Sequence, residues 1–252
     1  MKTMDRLVVM MVAVVAMLAF SMPAYASKMD SQIESSAKQS YIFKTYLQAD
    51  DIKIQSENGV VSLTGTVSEE SHKSLAQDTV ANLPNVKSVD NMLEIKSTPP
   101  PEKSDAWVMM KVKTTLWFHR SVNGFKTEVN DVKDGIVTLT GEATSQAQKD
   151  LTTEYAKDVQ GVKDVKNKMT IAGAKTSRTV GQNIDDASIT AQVKMMLLYH
   201  RSTSALNTSV TTKKGVVTLV GKASNAAELN MATKLANDVN GVKDVKNQMT
   251  IE

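Results

Sequence analysis

The chain has 252 residues, and its 30 Lys+Arg against 27 Asp+Glu give a formal net charge of +3. This near-balance excludes the strongly basic surface expected of a dedicated nucleic-acid binder. The absence of cysteine excludes disulfides, zinc–thiolate sites, iron–sulfur clusters, a cysteine nucleophile and a lipid-modified cysteine. Hydrophobic residues make up 41% of the chain and charged residues 23%, so we expect folded domains over most of its length.

The first 26 residues have the organisation of a secretory signal peptide. Lys2 and Arg6 precede an uninterrupted apolar run from Leu7 to Phe20. The run is shorter than the about 20 residues that a spanning helix needs, and Ala24-Tyr25-Ala26 has the small-x-small pattern of a cleavage site. We expect cleavage after Ala26 and a periplasmic mature chain. An uncleaved N-terminal anchor is the alternative interpretation.

The remaining sequence repeats one pattern three times. Pairs of glycines six residues apart enclose similar strings, at Gly59 and Gly65, Gly135 and Gly141, and Gly215 and Gly221. An asparagine follows 26 residues after the second glycine each time, at Asn91, Asn167 and Asn247. Matches in constant phase indicate an internal repeat. We place the three units at 30–97, 104–172 and 185–252, with a Pro-rich linker and a small polar linker between them.

The sequence predicts a helix, a β-hairpin, a second helix and a last strand in each unit. In the third unit, Ile189, Val193 and Met196 recur at helical spacing. Two β-rich runs follow around Lys214-Gly215, where a tight turn needs positive φ. A hydroxyl residue three positions after each second glycine is the expected N-cap of the second helix, at Ser68, Thr144 and Ser224. The predicted fold is α+β: three tandem α-β-β-α-β domains, each a three-stranded sheet with two helices on one face.

The first unit departs from the pattern. Counted from Leu47 to Gly59, its segment between first helix and turn is about seven residues shorter than the one from Leu116 to Gly135. It also lacks the His-Arg-Ser triplet found at His119 and again at His200. We therefore expect any function of that triplet to be absent from the first unit.

The Gly215–Gly221 core, GVVTLVG, and the Gly241–Asn247 run, GVKDVKN, resemble the signature of the BON domain family. The resemblance covers nearly all of the chain after the first 26 residues. It implies a non-enzymatic envelope protein, periplasmic or associated with the outer membrane. The implied activity is binding of anionic phospholipid in support of envelope integrity under osmotic stress, without a cofactor. The alternative is a chaperone-like or protein-partner-binding module for exported proteins.

Two helix ends are the candidate lipid-binding sites. They carry aromatic residues beside cations, at Trp117-Phe118-His119-Arg120 and Tyr199-His200-Arg201. Aromatic rings suit headgroup depth and arginine pairs with phosphate. The structural alternative is that the cations complement the helix dipole and that the aromatic residues close a small core.

Other repeated residues have simpler interpretations. Lysines near the last strand form either a basic stripe toward phosphates or a strand edge protected against aggregation: Lys163, Lys166, Lys168, Lys243 and Lys246. We interpret the six repeated glycines as turn and packing positions. The histidines at 72, 119 and 200 fall about one per unit, so no metal site is expected. No acid–base or nucleophile set recurs, so no enzyme is expected either.

Overall fold

The structure, a computed structural model, describes residues 23–96, 100–122, 124–172, 184–203 and 207–252. The predicted signal sequence lies outside the described residues, apart from its last four positions at the start of the first helix. Among the described helices, none combines the length and the apolar character that crossing a bilayer requires.

The elements follow the predicted order in every unit. The first unit contains α1 (Pro23–Gln39), α2 (Tyr41–Thr45), β1 (Asp51–Glu57), β2 (Val60–Val67), α3 (Glu70–Ala81) and β3 (Ser88–Ile95). The second contains α4 (Asp105–Phe118), a 3₁₀ turn (Gly124–Lys126), β4 (Thr127–Lys133), β5 (Ile136–Ala143), α5 (Gln146–Lys157), β6 (Asp164–Asn167) and β7 (Thr170–Ile171). The third contains α6 (Asp186–Tyr199), β8 (Thr208–Lys213), β9 (Val216–Ala223), α7 (Ala226–Asn237), β10 (Asp244–Asn247) and β11 (Thr250–Ile251).

The three sheets share one topology. The central strand pairs antiparallel with the strand before it and parallel with the strand after the second helix. In the second and third units the last strand is split into two short segments on the same neighbour. The α+β class and the three tandem units are confirmed.

An aspartate at the first helix of each unit holds the hairpin turn. Asp105 accepts hydrogen bonds from the N–H groups of Asp134 and Gly135, both 2.9 Å, and these bonds lower the pKa of its carboxyl group. Asp30 and Asp186 accept the equivalent hydrogen bonds in the other units. The turn residues have positive φ, for example 54° at Asp134 and 80° at Gly135, as a two-residue type I′ turn requires.

These aspartates correct the predicted shortening of the first unit. The aspartate precedes the turn glycine by nearly the same number of residues in each unit. The separation is 29 residues from Asp30 to Gly59, 30 from Asp105 to Gly135 and 29 from Asp186 to Gly215. The comparison of Leu47 with Leu116 was wrong, because Leu47 follows α2 whereas Leu116 lies inside α4. The first unit differs instead by a break at Ser40, whose side chain caps the short continuation α2.

The second helices begin one residue later than predicted. Their N-cap residues are Glu69, Ser145 and Asn225. The hydroxyl residue before the cap uses its backbone N–H, since Thr144 donates to Gln148 Oε1 at 2.8 Å and Ser224 to Glu228 Oε2 at 2.7 Å. The motif is a capping box shifted by one position.

The repeated asparagine ties the last strand to the second helix. Asn247 Nδ2 donates to Leu229 O at 3.1 Å and to Thr233 Oγ1 at 2.7 Å, while its Oδ1 accepts from Met249 N at 2.9 Å. Asn91 and Asn167 make the equivalent bonds. A side chain that bonds both elements explains why this residue recurs in phase.

Helix α6 lies at the centre of the molecule. It packs against α3 of the first unit and α4 of the second, and Asp185 and Ser188 at its start accept from the backbone N–H groups of Tyr41 and Ile42. Its polar Gln192 is fully buried together with the apolar residues. The predicted single apolar stripe was therefore incomplete, because this helix is covered by neighbouring units on its other sides.

Candidate functional site

The two predicted helix ends contact each other's units. At the end of α4, Arg120 N donates to Asp238 O and Asn240 N donates to Phe118 O, both at 3.0 Å. At the end of α6, Arg201 N donates to Asp158 O and Gln160 N donates to Tyr199 O, also at 3.0 Å. Each set forms an isolated antiparallel bridge. We call residues 118–120 with 238–242, and 199–201 with 158–162, the paired helix ends.

The pairing is reciprocal. The end of the first helix in each unit binds the end of the second helix in the other, so equivalent positions exchange the same bonds across an approximate two-fold axis. This is the self-complementary arrangement of an isologous interface, made here within one chain. It explains why the His-Arg-Ser triplet occurs in the second and third units and not in the first.

The two arginines complete the contact. Arg120 donates from its guanidinium to Val239 O at 2.9 Å and Val242 O at 2.7 Å, and Arg201 donates to Val162 O at 3.3 Å. Val239 and Val242 lie after the end of α7, and Val162 lies after the end of α5. Both arginines therefore bond the turn that follows the second helix of the other unit.

The aromatic residues of the two ends are interior. Phe118 is 0% exposed and Tyr199 6% exposed. Trp117 is partly buried and stacks on Tyr46 of the first unit with ring centres 5.5 Å apart, and Tyr46 lies edge-on to Phe118 at 5.1 Å. The rings of Tyr46, Trp117 and Phe118 join the first unit to the second.

The predicted membrane-facing belt is corrected by this burial. The side chains of Phe118, His119, Tyr199 and His200 are at most 7% exposed and cannot reach headgroups in this arrangement. The guanidinium groups of Arg120 and Arg201 are engaged with carbonyl oxygens. The correction applies to these four buried side chains, whereas Trp117 is partly buried and Arg120 and Arg201 are exposed.

The two histidines line a small pocket between the units. The pocket measures about 20 Å³ and is also bordered by Asp158, Asp238 and Lys234. His119 stacks on Tyr155 with ring centres 3.5 Å apart. Burial, then the charge of Lys234, lowers the pKa of His119 to about 3. Burial also lowers the pKa of His200, against the opposing effect of Asp158.

A buried lysine beside the paired helix ends was missed by sequence reasoning. Lys111 is 5% exposed, with its Nζ 3.5 Å from the centre of the Trp107 ring and 2.9 Å from Gln160 Oε1. Burial lowers its pKa to about 8, and the cation–π contact offsets part of the desolvation cost. No repeat or motif marks this residue, because its partners come from distant segments.

The first unit contains a serine, a histidine and an aspartate in contact. Asp50 Oδ2 lies 2.5 Å from His72 Nδ1, and Ser68 Oγ lies 3.1 Å from the same nitrogen. A catalytic triad needs the serine and the carboxylate on opposite ring nitrogens. The cluster therefore does not have the geometry of a catalytic triad. Ser68 and His72 lie at the start of α3. Within the described ranges, no set of three or more potential ligands is placed to hold a metal ion.

Comparison with known proteins identifies the repeat. The model of the BON domain family matches residues 29–97, 104–173 and 185–252. The chain is 33% identical over 145 residues to osmotically-inducible protein Y of Escherichia coli K12, covering 58% of this chain and 71% of that protein. It is 30% identical over 112 residues to the outer membrane lipoprotein DolP of Haemophilus influenzae, covering 44% and 56%.

The solved structures that match are distant. A structural protein of the type III secretion system of Chlamydia trachomatis, CdsD, is 18% identical, with 87% of this chain and 90% of that chain covered and a TM-score of 0.24. The family match extends over nearly the whole described chain, and the chain belongs to the BON domain family.

Proposed function

We propose that this chain is a non-enzymatic periplasmic envelope protein of the osmotic-stress type that binds anionic phospholipid surfaces. Family membership, the names of the two relatives and the predicted signal sequence support the location and the class. The observation that carries lipid binding is the charge of the third sheet. The contact surface we propose is this sheet rather than the paired helix ends.

The sheet of the third unit is basic on its exposed side. Its strands carry Lys213, Lys222 and Lys246 against Asp244. Two more lysines, Lys214 and Lys243, lie beside the turn, and Glu252 after the last strand pairs with Lys222 at 3.5 Å. All five lysines are exposed. Val220, 46% exposed, lies among them. Lysines near an anionic membrane contribute roughly 1 kcal/mol each, and an exposed valine adds apolar contact.

The other two sheets provide an internal comparison. They have the same topology and carry mainly acidic residues on their strands. The first has one lysine against four acidic residues: Lys53, Asp51, Glu57, Asp90 and Glu94. The second has two lysines against four acidic residues: Lys133, Lys166, Glu128, Asp131, Glu142 and Asp164. Charge complementarity with an anionic surface therefore favours the third unit.

We expect residues 27–252 to co-sediment with phosphatidylglycerol vesicles at low salt, to bind less at moderate salt, and not to bind phosphatidylcholine vesicles. Lys213→Glu with Lys246→Glu should reduce binding at least about tenfold. Lys133→Glu with Lys166→Glu is the matched control, because these lysines hold the same register positions in the second unit. It should change binding less than about twofold.

Equal losses in both variants would contradict the assignment to the third sheet. Binding that does not respond to salt would contradict an electrostatic contact. Failure to bind either vesicle would contradict the lipid proposal and favour the protein-partner alternative, for which suppression of aggregation of an exported protein is the next assay.

A further inference from the structure

The two buried histidines occupy equivalent positions in the paired helix ends. His119 is 1% exposed and His200 7% exposed, and each lies in the short bridge that joins the second and third units. Among the described residues, His119 Nδ1 and His200 Nε2 have no hydrogen-bond partner. The hydrogen bonds of the interface can therefore form while both imidazoles are neutral.

The bonding of His200 fits only the neutral ring. Its Nδ1 accepts a hydrogen bond from Ser202 N at 3.1 Å. A backbone N–H can only donate, so this nitrogen carries no proton and the ring proton is on Nε2. Protonation of Nδ1 would place two N–H groups against each other and remove that bond.

The charges around His119 also oppose its protonation. His119 faces Lys234 of α7, His200 and Arg120, with the Tyr155 ring of α5 stacked on it and Asp238 bordering the same pocket. Asp238 is itself affected, because burial raises the pKa of its carboxyl group. The cations close to His119 thus outweigh the carboxylates.

His200 has one opposing carboxylate. Asp158 Oδ2 lies 3.9 Å from His200 Nε2 and favours protonation of the ring. Arg201 and Lys234 act in the opposite direction, and all three charged residues are exposed, so burial of the ring decides the direction of the pKa shift. Adding a proton to each ring would place two further positive charges in one small, poorly solvated pocket.

We propose that the paired helix ends are an acid-labile joint, in which proton uptake by His119 and His200 separates the second unit from the third. Separation hydrates both imidazoles and breaks the bonds of both arginines to carbonyl oxygens. It also exposes Phe118 and Tyr199, which are interior in the closed arrangement. The joint is independent of the lipid-binding sheet, since the paired ends lie at the C-terminal ends of the helices and share no residue with it.

The direction of the pH dependence follows from the lowered pKa values. An imidazole free in water has a pKa of about 6.5, so the separated units bind more protons than the closed ones below that pH. The closing equilibrium constant should fall by up to about tenfold per pH unit for each histidine, and up to about 100-fold for both, on acidification below pH 6.5. Above that pH the two rings are neutral in both states and contribute no dependence.

The test is energy transfer between the second and third units. The chain has no cysteine, so Ala147→Cys with Ala227→Cys gives two unique label sites at exposed, equivalent positions in the first turns of α5 and α7. We expect transfer to be constant from pH 8 to pH 7, and to fall reversibly on further acidification at fixed ionic strength. Circular dichroism should show that the helices persist.

Two variants separate the proposed cause from general acid unfolding. His119→Gln with His200→Gln should move the transition at least one pH unit lower. His72→Gln, which alters the histidine of the first unit beside Asp50, should leave it unchanged. An equal transition in the double variant would overturn the proposal, and so would transfer that stays constant down to pH 4 in the unaltered background.

A second measurement decides the question if the double variant does not fold. The chain has three histidines, so their imidazole resonances can be followed individually by nuclear magnetic resonance during the same titration. We expect His119 and His200 to take up protons only as the transfer signal falls. Titration of both rings near pH 6.5 with unchanged transfer would overturn the proposal.

Discussion

Replacement Phe118→Ala is expected to destabilise the chain by about 3–5 kcal/mol, the usual cost of truncating a fully buried phenylalanine. Phe118 is 0% exposed, its ring contacts Tyr46 of the first unit, and its carbonyl oxygen accepts from Asn240 of the third. The cavity therefore forms where three units meet, and none of them can close it alone.

The matched control is Leu198→Ala. Leu198 lies at the end of α6 and is 51% exposed, so its truncation should cost less than about 0.5 kcal/mol. The free energy of unfolding is measured by urea titration at neutral pH, with one common slope as a check. A loss below about 1 kcal/mol for Phe118→Ala would mean that the end of α4 is open to solvent.

Replacement Gly141→Ala is expected to destabilise the second unit by roughly 3 kcal/mol or more. Gly141 has a φ of +106°, which residues with a side chain rarely adopt, and a Cβ there would overlap the carbonyl oxygen of Lys126. Relief would require strand β4 to move away from β5, which breaks the hairpin pairing around Thr127.

The adjacent replacement Glu142→Ala is the control. Its only described ion pair, with Lys126 at 3.4 Å, joins two side chains that are more than half exposed, so the loss should stay within about 0.5 kcal/mol. Thermal unfolding followed by circular dichroism compares the two variants. Similar midpoints for Gly141→Ala and Glu142→Ala would contradict the close approach of the two backbones.

The features that sequence reasoning recovered are local or repeated. The turn at Lys214-Gly215 depends on two adjacent residues, with φ of 53° and 79°, and the order of elements depends on periodicity within one unit. Comparing three copies made both visible. The repeated Asp30, Asp105 and Asp186 were within reach by the same comparison, because they keep their distance from the turn glycine.

The features that sequence reasoning missed arise from the packing of whole units against each other. The His-Arg-Ser triplets were found, but a sequence does not show that His119 faces the helix of another copy. Gln192 is polar and fully buried because α6 is enclosed by other units, which periodicity within one helix does not reveal. Lys111 and Gln160 meet across 49 positions for the same reason.

The basic surface of the third sheet was predictable only in part from the sequence. Its lysines are visible in the sequence, and Lys243 and Lys246 were considered as a stripe. Their relation to Lys213 depends on strand register, since Lys213 and Asp244 flank Val216 while Lys246 lies beside Thr218. With the register known, the contrast with the acidic first and second sheets becomes a property of the surface.

Hydrogen exchange of four backbone amides tests the paired helix ends most directly. Arg120, Gln160, Arg201 and Asn240 donate their N–H groups across the boundary between the second and third units, and no bond within one unit explains their protection. At pH 7.5 we predict that these four amides exchange as slowly as those of the central strands β5 and β9. Exchange at the rate of exposed loops, with α5 and α7 still protected, would show that the two units are not joined.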